Sequence, residues 1–189
     1  MSVNVRSVDV QLEGAGAWHI IHPNGEADHW SLIIDIGGGT WAATVCDNSG
    51  QVFDQTSAIQ GGTLALCRLM SRDTRLTSVL QSRGISRPVL SKIMTGLETD
   101  NRYVGDPLMS WEEWLDDYRI PWWNGIRDSS LAQFQHVRDR INEVIITGGG
   151  AHLVRDFVKD AGGVHIPDTP ELAAPMGTWH QMNRRANHG

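Results

Sequence analysis

The sequence predicts an α/β fold in which three antiparallel strands and two parallel strands form one mixed sheet with helices on both faces. Three short strand-like runs follow one another between residues 32 and 56 and are joined by tight turns, which is typical of an antiparallel meander. Two buried-type strands, at 144–147 and 164–166, then alternate with helical patterns. That alternation indicates parallel strands joined by crossover helices, so both kinds of pairing are expected in one domain.

Composition and charge limit the class of protein. The chain has 189 residues, 40% of them hydrophobic and 20% charged, as expected for one globular domain. A net charge of −6 gives no general attraction to nucleic acid or to an anionic membrane. Cys46 and Cys67 lack a CxxC spacing and are expected to be reduced, buried thiols. With no signal peptide pattern and no apolar run long enough to span a bilayer, we expect a cytoplasmic protein.

Helical patterns and breaks divide the rest of the chain. We predict helices at 64–82, 111–120, 130–141, 151–161 and 170–184. Ser110 and Glu113 form a capping box for the second of these, and Pro121 is expected to end it. Ser129 or Ser130 is expected to cap the third helix. The stretch 85–129 is poorly patterned.

The strongest motif is Asp35-Ile36-Gly37-Gly38-Gly39-Thr40, which directly follows an apolar strand. The strand carries a carboxylate to its end, and glycines without a Cβ let backbone amides approach a phosphate closely. Thr40 adds a hydroxyl donor. A carboxylate beside phosphates also implies a divalent cation, Mg²⁺ held through water at Asp35. The alternative is a glycine-rich hairpin turn after a strand-end aspartate.

A second glycine motif follows the strand at 144–147. Gly148, Gly149 and Gly150 open into a helical pattern, where free amides and the positive end of the helix dipole favour a phosphate or another polar ligand. Small residues here also allow a flat adenine ring to lie against the backbone. A tight turn between strand and helix, without a ligand, is an equally good interpretation of this motif alone.

Together the two motifs resemble the actin, Hsp70 and sugar-kinase superfamily. Asp35-Ile-Gly-Gly-Gly-Thr40 is similar to its second phosphate motif, and Ile146-Thr-Gly-Gly-Gly-Ala151 is similar to its adenosine motif, which lies downstream in the same lobe. The resemblance implies a ribonuclease-H-like lobe that binds ATP and Mg²⁺. The spacing of the two motifs and the sequence from Gly148 to Val154 look closer to the ParM/StbA plasmid-segregation branch than to actin or Hsp70.

Three further segments resemble that superfamily. Residues 59–64, which contain Gly61, are similar to the helix start that faces the nucleotide. Residues 172–179 are similar to the second connecting helix, where small residues allow close packing at the hinge between lobes. Residues 8–17 are similar to the segment leading out of the first lobe, and the resemblance implies that Glu13 orients the attacking water.

The resemblance covers only the C-terminal lobe, because nothing before residue 8 matches the first phosphate hairpin. We expect residues 1–189 to be a single lobe, either a fragment of a longer protein or a lobe that works with a separate partner. By elimination, residues 85–129 are assigned to a small, mainly helical insert subdomain.

The resemblance implies a filament-forming ATPase that moves plasmid or phage DNA, with Asp35 and Glu13 as catalytic residues. Its expected partners are the missing N-terminal lobe, further copies of itself and a DNA-binding adaptor protein. Two alternatives stay open: a lobe of a sugar-kinase-type phosphotransferase, whose base the other lobe carries, and a non-catalytic lobe used for docking or filament capping.

Four of the eight tryptophans, at positions 111, 114, 122 and 123, crowd into one stretch. We interpret them as the core of the small insert, with a docking surface as the alternative.

The acidic residues at 112, 113, 116 and 117 are expected to form a solvated helix face. Lys92 is expected to be exposed, with a contact to ribose or phosphate as the alternative. His19, His22 and His29 lack the spacing of a metal site.

Overall fold

The computed structural model describes residues 12, 14–82, 93, 97 and 112–188. Within them, five strands form one sheet in the order β3–β2–β1–β4–β5. The strands are β1 (Trp30–Ile36), β2 (Thr40–Cys46), β3 (Val52–Ile59), β4 (Ile141–Thr147) and β5 (Val164–His165). The helices are α1 (Trp18–Ile21), α2 (Thr63–Met70), α3 (Thr74–Ser82), α4 (Glu112–Gln133), α5 (Arg155–Val158) and α6 (Pro170–His188).

Strand pairing confirms the predicted mixed sheet. β1, β2 and β3 pair antiparallel as a meander, whereas β4 pairs parallel with β1 and β5 parallel with β4. In the β1–β4 register, Asp35 lies opposite Thr147. The carboxyl ends of the two central strands therefore meet at one edge, and the residues that follow them are brought together.

Side chains of the central strands alternate between two apolar layers, as the two-residue period of a strand requires. Leu32, Ile34 and Ile36 pack into a layer that includes buried residues of α2 and α4. Ile33 and Ile145 pack into a second layer, which includes residues of α1 and α6. Helices thus cover both faces of the sheet, as predicted.

The helix predicted at 64–82 is two helices, because Asp73 starts a new one. Its carboxylate accepts a hydrogen bond from the Arg75 backbone N–H at 2.6 Å, as an N-cap does, and lies 2.6 Å from the Arg75 guanidinium. The Tyr118 hydroxyl also donates to it. The hydrogen bonds from Arg75, with that from Tyr118, outweigh the effect of burial and lower the pKa of Asp73 to about 2. This network ties the α2–α3 turn to α4.

Pro121 does not end a helix, and no new helix is capped at Ser129 or Ser130. One helix, α4, runs through both positions. Ser130 is buried and donates its hydroxyl to the Ile126 carbonyl at 2.8 Å, so it bonds back within the helix instead of capping. The buried side chains of Trp122, Trp123 and Ile126 belong to the main core. Their burial outweighs the hydrogen bond that a proline removes.

The tryptophans of α4 are therefore part of the large core. Trp122 and Trp123 are 7% and 6% exposed, and Trp122 Nε1 donates to the Gly61 carbonyl at 3.0 Å. Trp114 packs against the same core.

Trp111 and Lys92 lie outside the described residues, as does most of the predicted insert. The acidic residues on α4 are exposed as predicted, and two of them bind arginines: Asp116 binds Arg119 and Asp117 binds Arg75.

Two predicted helix boundaries near the C-terminus also change. The helix predicted at 151–161 is a single 3₁₀ turn, Ala151–Leu153, followed by the four-residue α5. The last helix starts at Pro170 as predicted and continues to His188. Cys46 and Cys67 are both buried, as predicted, and no disulfide joins them; burial, with the nearby Asp47 charge, raises the pKa of Cys46 to about 12. In the described part of the chain, no helix is both long and apolar enough to cross a membrane.

A buried carboxylate, Glu143, joins the second layer to the α1–β1 loop. It is 3% exposed and accepts hydrogen bonds from the Ser31 hydroxyl and from His22 Nε2 at 2.8 Å, while His165 Nε2 lies 3.4 Å away. Burial raises the pKa of Glu143, but the hydrogen bonds from Ser31 and His22, with the charges of both histidines, hold it below its usual value. The ionised form is therefore the one that the fold stabilises.

We predict that Glu143→Gln lowers the free energy of unfolding at pH 7 by about 1–3 kcal/mol, because Ser31 and His22 both bond to Oε2 of Glu143 and an amide oxygen lacks the negative charge that strengthens those two hydrogen bonds. A carboxyl whose pKa is lowered by folding adds stability above its unfolded-state pKa, and this is lost as the pH falls through the folded value. The deficit should therefore shrink at pH 4 and below in urea unfolding. Glu26→Gln, at an exposed glutamate, is the control. An equal deficit at pH 7 and pH 3 would contradict the assignment.

Candidate functional site

The first glycine motif forms the tight turn between β1 and β2. The Gly37 N–H donates to the Thr40 carbonyl at 2.9 Å, which closes the turn around Gly38 and Gly39. A Cβ built on Gly38 or Gly39 would meet no protein atom within 4 Å, so both face open space. Thr40 is exposed beside them.

The start of α2 fixes the direction of the peptide groups in this turn. The Thr63 N–H donates to the Gly37 carbonyl at 3.0 Å, and the Leu64 N–H donates to the Gly38 carbonyl at 2.8 Å. A longer contact of 3.4 Å joins the Gly62 N–H to the Gly39 carbonyl.

In a trans peptide the N–H of one residue points opposite to the carbonyl of the residue before it. No described peptide bond is cis. The N–H groups of Gly38, Gly39 and Thr40 therefore point away from α2. Three successive amide donors on one side of a turn are the arrangement that binds a phosphate.

The second glycine motif lies directly against the first. The Gly150 N–H donates to the Ile36 carbonyl at 2.8 Å. Gly148 has φ +83°, and a Cβ there would lie 2.3 Å from Asp35 Oδ1 and 2.5 Å from the Ile36 carbonyl oxygen. Both the backbone angle and the space require glycine. Gly149 between them faces open space.

Asp35 lies in a slot between two glycines. On the side opposite Gly148, a Cβ on Gly14 would lie 3.1 Å from the Asp35 Cβ, and Gly14 also has positive φ, +81°. The carboxylate lines an open cleft of about 660 Å³, within the 300–1,000 Å³ of small-molecule sites. Its other walls include Gly37, the second glycine turn, the segment before α1 and residues 170–182 of α6.

Close helix packing forms the far wall of this cleft. A Cβ on Gly16 would lie 2.0 Å from the Ala174 carbonyl oxygen, and one on Gly177 would lie 1.7 Å from the Gly16 carbonyl oxygen. The small residues predicted at 172–179 thus do allow α6 to touch the segment before α1. On α6, four large apolar side chains are between 44% and 60% exposed, and the last two of them line the cleft: Leu172, Met176, Trp179 and Met182. We call these four residues the α6 stripe.

The structure brings most of the predicted site residues to one place. Asp35, Gly37–Thr40 and Gly148–Gly150 share the edge of β1 and β4. Gly61 is placed differently, against the Trp41 ring, where a Cβ would lie 2.4 Å away, and Gly62 is the glycine that touches the first turn. Glu13 lies outside the described residues. Among them, no group of three or more histidine, cysteine or acidic side chains is arranged to hold a metal ion.

Sequence reasoning did not single out three residues near the site. Gly62 would place a Cβ 2.3 Å from the Gly37 carbonyl oxygen, and Glu171, in the first turn of α6, lines the cleft. His152 follows the second turn and bonds to its backbone. The glutamate directly after Pro170 was visible in the sequence, but an acidic residue there indicates only the start of a helix.

The residues present fit a hydrated Mg²⁺. Asp35 supplies a carboxylate at the cleft, and Glu171 lines the same cleft, so the donors are hard oxygen atoms. Proteins usually bind Mg²⁺ through one or two carboxylates, and water and substrate phosphates complete the coordination shell. Any Cβ at Gly148 would overlap the Asp35 carboxylate, so glycine at this position lets the carboxylate stay at the cleft.

This fold matches part of the fold of several actin-like proteins of known structure. A ParM filament from Clostridium botulinum matches with a TM-score of 0.69 at 18% identity, covering 89% of this chain and 52% of that one. The archaeal actin homologue Ta0583 matches with a TM-score of 0.74 at 18% identity, covering 93% and 55%. MreB 5 of Spiroplasma citri, bound to AMPPNP, matches with 0.65 at 16% identity, covering 94% and 60%.

The match is therefore to part of each neighbour. The chain spans only a little over half the length of these structures. No family model matches the sequence, and no curated protein matches it.

Proposed function

We propose that this chain is the nucleotide-binding lobe of a cytoplasmic, actin-like ATPase that forms filaments and acts in plasmid or phage DNA segregation. One observation carries the proposal: two glycine turns lie side by side at the carboxyl edge of β1 and β4, with Asp35 against the second turn and the amides of the first directed away from α2. Ta0583 in complex with ADP and MreB 5 bound to AMPPNP share this fold, which supports a nucleotide as the ligand.

In this proposal the amides of Gly38, Gly39 and Thr40 bind the phosphates of ATP, and Gly148–Gly150 hold the adenosine. Asp35 holds Mg²⁺ through water, and Glu13 orients the attacking water. When bound, the cation neutralises negative charge that develops on the phosphates. The backbone donors are fixed in advance by α2, so they need no rearrangement during the reaction.

The exposed α6 stripe supports a second lobe as partner. Trp179 is 60% exposed and lines the cleft that contains Asp35, so a body packed on the stripe would also cover the cleft. A contiguous exposed apolar surface marks an interaction site. We propose that a complementary lobe occupies it, that filaments form by self-association as in the ParM filament, and that an adaptor protein makes the contact with DNA.

The 189-residue chain by itself is expected to bind Mg·ATP more weakly than micromolar and to hydrolyse it negligibly. Without an opposing wall, the phosphates stay in contact with water and electrostatic stabilisation is reduced. Chemical-shift changes in ¹⁵N NMR during Mg·ATP titration measure the affinity and show which amides respond. Shifts at residues 38–40 and 148–150 are expected. Titration without any shift at these amides, or rapid turnover by this chain, would contradict the proposal.

Gly38→Val separates nucleotide binding from folding. Because a Cβ at Gly38 meets nothing within 4 Å, the fold should tolerate the change, with less than about 1 kcal/mol lost from the free energy of unfolding. The side chain would occupy the space into which the phosphates must come, so Mg·ATP affinity should fall at least about tenfold. Gly162→Val, at an exposed glycine with equally open surroundings, is the matched control and should bind as the wild type does.

A further inference from the structure

A second, much smaller pocket lies on the other side of the two glycine turns. Its volume is about 80 Å³, and its lining includes Gly38 from the first turn, Gly149 from the second, Leu97 and His152. Ligand pockets are typically 300–1,000 Å³, so this space is too small for a nucleotide base.

His152 lines this pocket and joins two parts of the chain. Its Nδ1 atom lies 2.6 Å from the Gly149 carbonyl oxygen, and its Nε2 atom lies 2.8 Å from the carbonyl oxygen of Leu97. The first contact holds the ring against the second glycine turn. The second contact reaches across 55 positions in sequence to a residue on the opposite wall.

The two contacts require two hydrogen atoms. A carbonyl oxygen only accepts hydrogen bonds, and a neutral imidazole carries one N–H, so it can satisfy one carbonyl and not the other. Both contacts of His152 are hydrogen bonds only when both ring nitrogens are protonated. The other described walls, from the first turn, α2 and the second turn, contribute one titratable group, the Cys67 thiol. Arg119 of α4 binds the neighbouring Leu153 carbonyl, and Asp116 balances its charge.

We infer that His152 is a proton-dependent latch: its imidazolium form bridges Gly149 and Leu97 and keeps the pocket between the glycine turns closed. Loss of one proton releases one of the two bonds and lets the pocket widen for the base end of a bound nucleotide. The latch itself rests on the two contacts, and its effect on binding rests on the function proposed above.

The first test observes the latch without any nucleotide. Two-bond ¹H–¹⁵N spectra of the histidine rings in the whole chain, recorded from pH 5 to pH 8.5, report which nitrogens carry protons. His152 is expected to show two slowly exchanging N–H protons at low pH and one at high pH, with the amide of residue 149 shifting along the same titration. A neutral His152 ring at pH 5, or two N–H protons that exchange as fast as those of exposed His136, would overturn the latch.

The second test measures Mg·ATP affinity over the same pH range in wild type, His152→Gln and His136→Gln. Protonation of ATP affects all three equally, so the comparison isolates the latch. Wild type and His136→Gln should lose about tenfold more affinity between pH 8.5 and pH 5.5 than His152→Gln, as expected for one charged hydrogen bond. Identical pH profiles in all three would refute the effect of His152 on binding. Absence of binding in every protein would refute the proposed function, and the ring spectra would still decide the latch.

Discussion

Replacing Asp35 by alanine is expected to abolish Mg²⁺-dependent ATP hydrolysis in the two-lobe ATPase proposed above, with turnover falling about 10³-fold or more. Asp35 lies in the slot between Gly14 and Gly148, facing the cleft where the phosphates are placed. Stabilisation of the transition state by a bound cation contributes several kcal/mol, and each 1.36 kcal/mol is tenfold in rate. Steady-state ATPase assays with varied Mg²⁺ measure the effect.

Asp35→Asn is the matched control for packing, because it fills the same slot without the negative charge. It should lose Mg²⁺-dependent hydrolysis as Asp35→Ala does, while unfolding at nearly the wild-type temperature. If Asp35→Asn hydrolysed ATP at the wild-type rate, Asp35 would be a packing residue and the proposed cation site would be wrong.

Glu13→Ala should behave differently, because the proposed role of Glu13 concerns only the attacking water. We expect turnover to fall by about 10²-fold or more while ATP binding and assembly persist. If filaments form, they should last longer in the variant, since hydrolysis would precede disassembly. Light scattering together with phosphate release separates the two effects. Normal turnover in Glu13→Ala would remove Glu13 from the site.

Gly177→Ala is expected to destabilise the fold by at least about 3 kcal/mol. The added Cβ would lie 1.7 Å from the Gly16 carbonyl oxygen, an overlap with backbone that no side-chain rotation relieves. α6 would have to move away from the segment before α1, which forms one wall of the Asp35 cleft. Urea unfolding followed by circular dichroism measures the loss.

Gly125→Ala is the matched control for Gly177→Ala. Gly125 also lies inside a helix, α4, but is exposed, and its Cβ would meet no atom within 4 Å. Because alanine favours a helix more than glycine does, this variant should gain up to about 1 kcal/mol. If both variants changed stability by the same amount, close contact at Gly177 would not be the cause.

The candidate site was predicted from the sequence in its residue types but not in its geometry. Two glycine runs after apolar strands identified Asp35, Gly37–Thr40 and Gly148–Gly150, since glycine is required wherever backbone must approach a ligand or another chain segment. The direction of the amides could not be predicted. It depends on hydrogen bonds from the start of α2, residues 63 and 64, to carbonyls some 26 positions earlier in the chain.

The sequence by itself determined the mixed sheet, because a two-residue apolar period and turn residues are local signals. It also determined the position of the glycine turns and the start of α6 at Pro170. Only the tertiary structure decided that α4 continues through Pro121 and that Ser130 bonds back within it. Local preference favours a break there. Burial of Trp122 and Trp123 in the shared core contributes more free energy than one helical hydrogen bond, and that burial exists only once the sheet is formed.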